Sequence, residues 1–150
     1  MFDPQKFRPP HVVLILITSA TILHILLKPL KIIPSPYHWF GLIDGVFGFA
    51  LMMWAHQLFV KGGTPVRHNE QPMTIVTQGP YKYSRNPMYI GGLVMLGGMA
   101  VFIGTRPFLL FPFMLFIVLD RVFIPWEEQR MTELFGEEFR QYCESVPRWL

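Results

Sequence analysis

Cys143 is the single cysteine in 150 residues, so no internal disulfide can brace the fold, and a reducing compartment suits the chain. The five histidines, His11, His24, His38, His56 and His68, form no pair at metal-ligand spacing, and no metal site is expected. There is no internal repeat, no low-complexity tract and no separate dinucleotide-binding signature. Formal charge is missing from long stretches. Residues 12–27 and 88–104 carry none, 39–60 hold only Asp44 and His56, and 108–126 hold only Asp120 and Arg121. The hydrophobic fraction, 51%, is close to that of a soluble protein, so the clustering of apolar residues is the informative feature.

A helix needs about 17–25 mostly apolar residues to cross a bilayer. The second and third runs meet that length, and the first and fourth meet it with snorkelling ends or slight tilt. A soluble helical bundle would not carry four consecutive runs apolar around their whole circumference. The expected architecture is therefore all-α: a polytopic membrane protein with four transmembrane helices and a C-terminal amphipathic interfacial helix, in a single domain. The spans are expected at residues 12–33, 39–60, 87–104 and 107–126, with a cytoplasmic loop over 61–86 and the C-terminal helix over 127–146. The first run resembles a signal peptide, with Lys6 and Arg8 ahead of it. Thr18-Ser19-Ala20 is followed by more apolar sequence rather than a cleavage site, so the run is expected to stay as the first span.

Basic residues give the orientation. Lys6, Arg8, Lys61, Arg67, Lys82, Arg85, Arg121, Arg130, Arg140 and Arg148 fall on one side of such a topology, and Lys28, Lys31 and Arg106 on the other. The richer side is the cytoplasmic one, with both termini. A pI near 9.2 then reflects topology and anionic lipid, and no nucleic-acid partner is inferred from it.

Two polar motifs flank the hairpin formed by the last two runs, and a hairpin returns both to the same interface. The first is Gly79-Pro80-Tyr81-Lys82-Tyr83-Ser84-Arg85-Asn86-Pro87-Met88-Tyr89-Ile90-Gly91-Gly92. Asn86-Pro87 reads as a helix start, with Asn as N-cap and Pro at the first helical position. The N–H groups and dipole of that helix end, beside Arg85, make an anion site; the alternative is a simple cap with Arg85 on lipid phosphate. The second motif is Glu127-Glu128-Gln129-Arg130 with Phe135-Gly136-Glu137-Glu138-Phe139. Adjacent carboxylates so near hydrocarbon need partners or solvent. If the helix runs on through Pro125, Arg121 and Glu128 share a face. Gly41, Gly45 and Gly48, and Gly91 and Gly98, put small residues on helix faces, either for close packing or, at Gly91 and Gly92, to clear room for a flat ligand. The long 61–86 loop could be a lid or a slack connector.

Together these motifs resemble the membrane methyltransferases that include the isoprenylcysteine carboxyl methyltransferases and the phosphatidylethanolamine N-methyltransferases. The resemblance covers about residues 61–150, through Arg85-Asn86-Pro87-x-Tyr89, Arg121, Glu127-Glu128, residues 135–139, Tyr142 and Val146-Pro147. It implies S-adenosylmethionine as cofactor, cradled by Arg85, Asn86, Pro87 and Tyr89, with Glu127 and Glu128 on its ammonium or ribose hydroxyls and Gly91 and Gly92 allowing close approach. It implies Arg121 as the residue that orients an anionic acceptor, and Tyr89 as a second catalytic candidate. The acceptor would be lipophilic or lipidated, reached from the membrane lipid. Carboxyl O-methylation asks least of these residues. N-methylation of a phospholipid or amine would need a base, with Glu128 or Tyr89 nearest, and Asn86, where eukaryotic carboxyl methyltransferases read His, leans that way. The chain has no prenylation box, so self-modification is not expected. From other classes come a small four-helix transporter using Asp44 or Asp120 as its coupling carboxylate, a membrane scaffold, and a related nicotinamide-dependent reductase.

Overall fold

The computed structural model describes residues 9–62 and 74–150. Lys6, Arg8, Arg67, His68 and the part of the expected lid over 63–73 lie outside the described residues. Six α-helices, and no strand, occur among the described residues: α1 (Pro9–Leu27), α2 (Phe40–Lys61), α3 (Pro87–Ile103), α4 (Arg106–Val118), α5 (Ile124–Phe135) and α6 (Glu137–Ser145).

Residues 9–27, 37–61 and 106–135 form helical stretches long and apolar enough to cross a membrane. At 17 residues α3 is shorter, rising about 25 Å against the roughly 30 Å hydrocarbon core. The first helix ends at Leu27, not at residue 33, because Lys28 takes a left-handed φ of 43° and prolines 29, 34 and 36 follow. The helix expected over 127–146 is also different. One helical rod runs from Arg106 to Phe135, and Gly136, at φ 54°, then separates α5 from α6. Pro125 does not break the rod, because Leu119–Phe123 form a π turn immediately before it. The Ile124 N–H bonds the Leu119 carbonyl five residues back, so the ladder is already offset where Pro125 has no N–H to give.

Helices α2 and α3 pack along a glycine seam. A Cβ on Gly91 would lie 2.5 Å from the Met52 nitrogen and 2.7 Å from the Gly48 carbonyl oxygen, and one on Gly98 would strike Gly41 and Gly45 backbone. Only hydrogen lets these backbones come so close. Helix α1 leans on α4, where His24 Nδ1 and Thr105 Oγ1 are 3.1 Å apart. The core centres on Phe111, Leu115, Leu119, Phe123 and Ile124. Large apolar side chains stay exposed around the waist of the bundle, among them Leu14, Ile43, Phe47, Leu110 and Phe113. A belt of that size matches hydrocarbon rather than water.

Candidate functional site

At one end of the bundle, the start of α1, the last turns of α2, the start of α3, and α5 and α6 enclose a cavity of about 650 Å³. The first motif is pinned there from both sides. Gly79, at φ 60°, opens a tight turn that buries Tyr81. The Tyr81 ring stacks on Phe59 of α2 with centroids 6.4 Å apart, and its carbonyl accepts the Tyr142 hydroxyl at 2.8 Å. Burial raises the phenol pKa of Tyr81 and pushes that of Tyr142 up to about 12, so both stay neutral donors near pH 7.

After α6 the chain turns at Pro147 and returns across this motif. The Arg85 N–H donates to the Pro147 carbonyl at 3.0 Å. Ser84 Oγ and Asn86 Nδ2 donate to the Arg148 carbonyl at 3.1 and 3.0 Å. Asn86 therefore spends its side chain on the tail instead of capping α3. Its own carbonyl accepts the Ile90 N–H, and Pro87 stands first in the helix as its fixed φ favours.

Charges converge beneath the tail. Arg85 Nη1 lies 3.0 Å from Glu128 Oε1 and donates to Cys143 Sγ at 2.6 Å. Burial moves the Cys143 thiol pKa upward, more than the neighbouring Arg85 lowers it. Arg148 grips both oxygens of Glu128, Nε to Oε1 at 3.1 Å and Nη2 to Oε2 at 2.6 Å, and its Nη1 reaches Asp120 at 3.4 Å. Trp149 Nε1 donates to the same Asp120 oxygen at 2.9 Å, and its ring packs on Phe116. Glu127, one residue from this cluster, accepts the Tyr89 hydroxyl at 2.7 Å.

Of the residues singled out in the sequence, Arg85, Asn86, Pro87, Tyr89, Gly92, Glu127 and Glu128 meet on the wall of this one cavity. Gly91 lies in the seam against α2 instead, while a Cβ on Gly92 would meet only Met52 Sδ, at 3.9 Å. Arg121 does not join them. Its side chain is 81% exposed and pairs with Asp120 at 3.3 Å. The π turn is the cause: it turns Arg121 by about a quarter turn away from the face that unbroken α geometry would share with Glu128. Asp44 is exposed one turn into α2, at the end far from the cavity.

Arg148 and Trp149 were not anticipated here. His56, which the sequence suggests with His24 as an interhelical hydrogen-bonder, makes no such bond among the described residues and lines the cavity instead. Two glutamates at the mouth of a span demanded counter-charges, and Pro147 beyond an amphipathic helix signalled a reversal, but nothing local said that the reversal ends on Glu128. Among the described residues no three His, Cys, Asp or Glu side chains gather to hold a metal ion.

Comparison with known proteins gives two matches. A family profile described as phospholipid methyltransferase matches residues 36–138. A curated relative, Protein-S-isoprenylcysteine O-methyltransferase B of Arabidopsis thaliana, is 30% identical over 122 residues, covering 73% of this chain and 59% of the relative. The chain thus spans little more than half the length of that relative. No solved structure matches.

Proposed function

The chain belongs to the phospholipid methyltransferase family, and from that premise we propose that it is an integral-membrane enzyme transferring a methyl group from S-adenosylmethionine to a lipophilic carboxylate. The observation that carries this reading is the union of two unlike surfaces in one cavity. Its mouth holds Arg85, Glu127 and Glu128, and its depth is walled by Leu96, Leu115 and Leu119. A polar donor molecule suits the first and a lipid chain the second.

The donor set fits a zwitterionic cofactor. Glu127 accepts the Tyr89 hydroxyl at the mouth, and a carboxylate there has the chemistry to hold an ammonium group or ribose hydroxyls. The first N–H groups of α3 suit a carboxylate, and beside them Arg85 Nε is buried without a partner among the described residues. Gly92 leaves the wall open where a side chain would stand. Glu128 is engaged by both Arg85 and Arg148, so in this reading it anchors Arg85 while Glu127 holds the cofactor.

When bound, the cofactor supplies an electrophilic sulfonium methyl group. The chain's own part is positioning and dryness. Arg85 and Glu127 fix one reactant, and the apolar depth holds the other and excludes competing water. An acceptor carboxylate is already ionised at neutral pH, so no base is required. An amine acceptor would need one, and the two candidates that the motifs supply are committed, Tyr89 to Glu127 and Glu128 to two arginines. That favours O-methylation over the phospholipid or amine alternative. In the membrane, α1, α2, α3 and the Arg106–Phe135 rod act as four spans, with the site and both termini at the cytoplasmic face. The acceptor enters sideways from lipid.

Calorimetric titration with S-adenosylhomocysteine of the detergent-purified protein tests the reading. Saturable binding is expected, and Glu127→Ala should weaken it ~10-fold or more through loss of a charge-assisted hydrogen bond. A folded wild-type protein that binds none would overturn it.

A further inference from the structure

The carboxylate reading needs a group that holds the acceptor, and the arginine expected to do so, Arg121, faces outward. The other cations near the cavity have duties of their own. Arg85 is tied to Glu128 and Cys143, and Arg130 lies over the Trp126 ring at 5.7 Å. Helix α2, by contrast, gives the cavity Met52, Met53, Phe59 and one polar side chain, His56.

The register of the glycine seam fixes the height of that histidine. Helices α2 and α3 run antiparallel, with Gly41 against Gly98 and Gly48 against Gly91. Met52 lies beside Gly91 and Gly92, so His56, one turn further along α2, stands level with the first turn of α3. That is the height at which Arg85 and Tyr89 meet the second motif. Its imidazole therefore stands at the boundary between the polar mouth and the apolar depth, on the α2 wall. The other intramembrane histidine, His24, bonds Thr105, and His38, whose Nδ1 is buried without a partner among the described residues, packs between Trp39 and Phe102 at the opposite end of α2 from the cavity. His56 is half-buried and makes no hydrogen bond, ion pair or ring contact among the described residues. The ring lines a largely apolar cavity without a protein partner, so its N–H is free to bond a ligand that enters there.

We propose that His56 binds the methyl acceptor, donating a ring N–H to one oxygen of a carboxylate whose second oxygen attacks the methyl group. This rests on the methyltransferase reading and adds the acceptor-holding residue to it. The step balances without proton transfer. The acceptor oxygen forms the new O–CH3 bond, the S–CH3 bond breaks with its electron pair left on sulfur, and an ester and a neutral thioether result. With one oxygen held, the carboxylate cannot rotate freely, and the methyl-accepting lone pair is aimed.

The test compares two probes, an N-acetyl-S-prenylcysteine free acid and its methyl ester, which share the lipid tail and differ in the charge at the reacting end. Their binding to the detergent-solubilised chain is measured for wild type, His56→Leu and His56→Gln, with S-adenosylhomocysteine affinity measured in parallel. His56→Leu should weaken acid binding ~10-fold or more, as expected for a hydrogen bond to a charged group in a cavity. His56→Gln, which keeps an N–H donor, should recover most of that loss. The ester and S-adenosylhomocysteine should bind all three proteins alike. The proposal is overturned if the acid binds His56→Leu as it binds wild type, if the ester loses as much as the acid, if Gln fails to rescue, or if wild type binds the cofactor product but not the acid. Absence of S-adenosylhomocysteine binding to wild type is a separate result and removes the underlying reading itself.

Discussion

At the scale of single residues, the charges at the cavity mouth form a chain of dependencies. Arg85 leans on Glu128, Glu128 on Arg148, and Arg148 shares Asp120 with Trp149. Removing Arg148 leaves Glu128 with one guanidinium in place of two and strips Asp120 of one donor. Arg148 is 34% exposed and Glu128 21%, so solvent screens the pair. Arg148→Ala is then expected to cost about 1–2 kcal/mol of stability, not the several that a fully buried pair would forfeit. Arg148→Lys should recover only part of this, because an ammonium cannot reach both Glu128 oxygens and Asp120 as a planar fork does. Thermal unfolding of the three proteins in one detergent checks it, and a Lys variant as stable as wild type would show that charge alone is what matters. This cluster also marks how far the sequence could be read. Arg85, Tyr89, Glu127 and Glu128 were legible because their motifs sit at span ends, where charge is conspicuous. Arg148 was not, because the contact that gives it meaning spans 20 residues and a chain reversal.

At the scale of elements, two features decide which faces meet. The glycine seam was visible as spacing, and the alternatives of packing and ligand clearance divide between neighbours, Gly91 to the seam and Gly92 to the cavity. Substitution separates seam from lipid face. Gly98→Leu would drive a side chain into Gly41 and Gly45 backbone, which cannot yield as a flexible side chain can. Destabilisation of about 3 kcal/mol or more is expected. At Gly97, one position away, an added Cβ would meet nothing within 4 Å, so Gly97→Leu points its side chain into open space. It should be neutral or stabilise by up to about 1 kcal/mol through helix propensity. Paired denaturation curves decide the matter, and equal losses from the two substitutions would mean that α2 and α3 do not pack in this register. The π turn at residues 119–123 was not legible. Apolar periodicity through it is continuous, and Pro125 pointed to a break rather than to a widened turn that lets the rod continue. Gly136 was passed over for the same reason, since the amphipathic pattern on either side is in phase.

At the scale of the whole molecule, orientation is the property on which acceptor access and cofactor supply both depend. Helix direction alternates so that the starts of α1 and α3, the end of α2 and the whole of α5–α6 gather at one end of the bundle. Among the described residues that end carries Lys61, Lys82, Arg85, Arg121, Arg130, Arg140 and Arg148, against Lys28, Lys31 and Arg106 at the other. Several of the first group are committed to internal pairs, yet the bias acts during insertion, before those pairs exist, so they still count. The cavity end should therefore face the cytoplasm, where a polar cofactor is available. A fluorescent-protein fusion after Leu150, made in a bacterial host, is expected to fluoresce, and an alkaline phosphatase fusion at the same point to be inactive. Phosphatase fused within residues 29–33 should be active instead. The reverse pattern would put the Glu127–Glu128 end outside the cell, away from any intracellular methyl donor. Matching activity at both points would require an even number of crossings between them. The short α3, 17 residues long, is the helix on which that count turns.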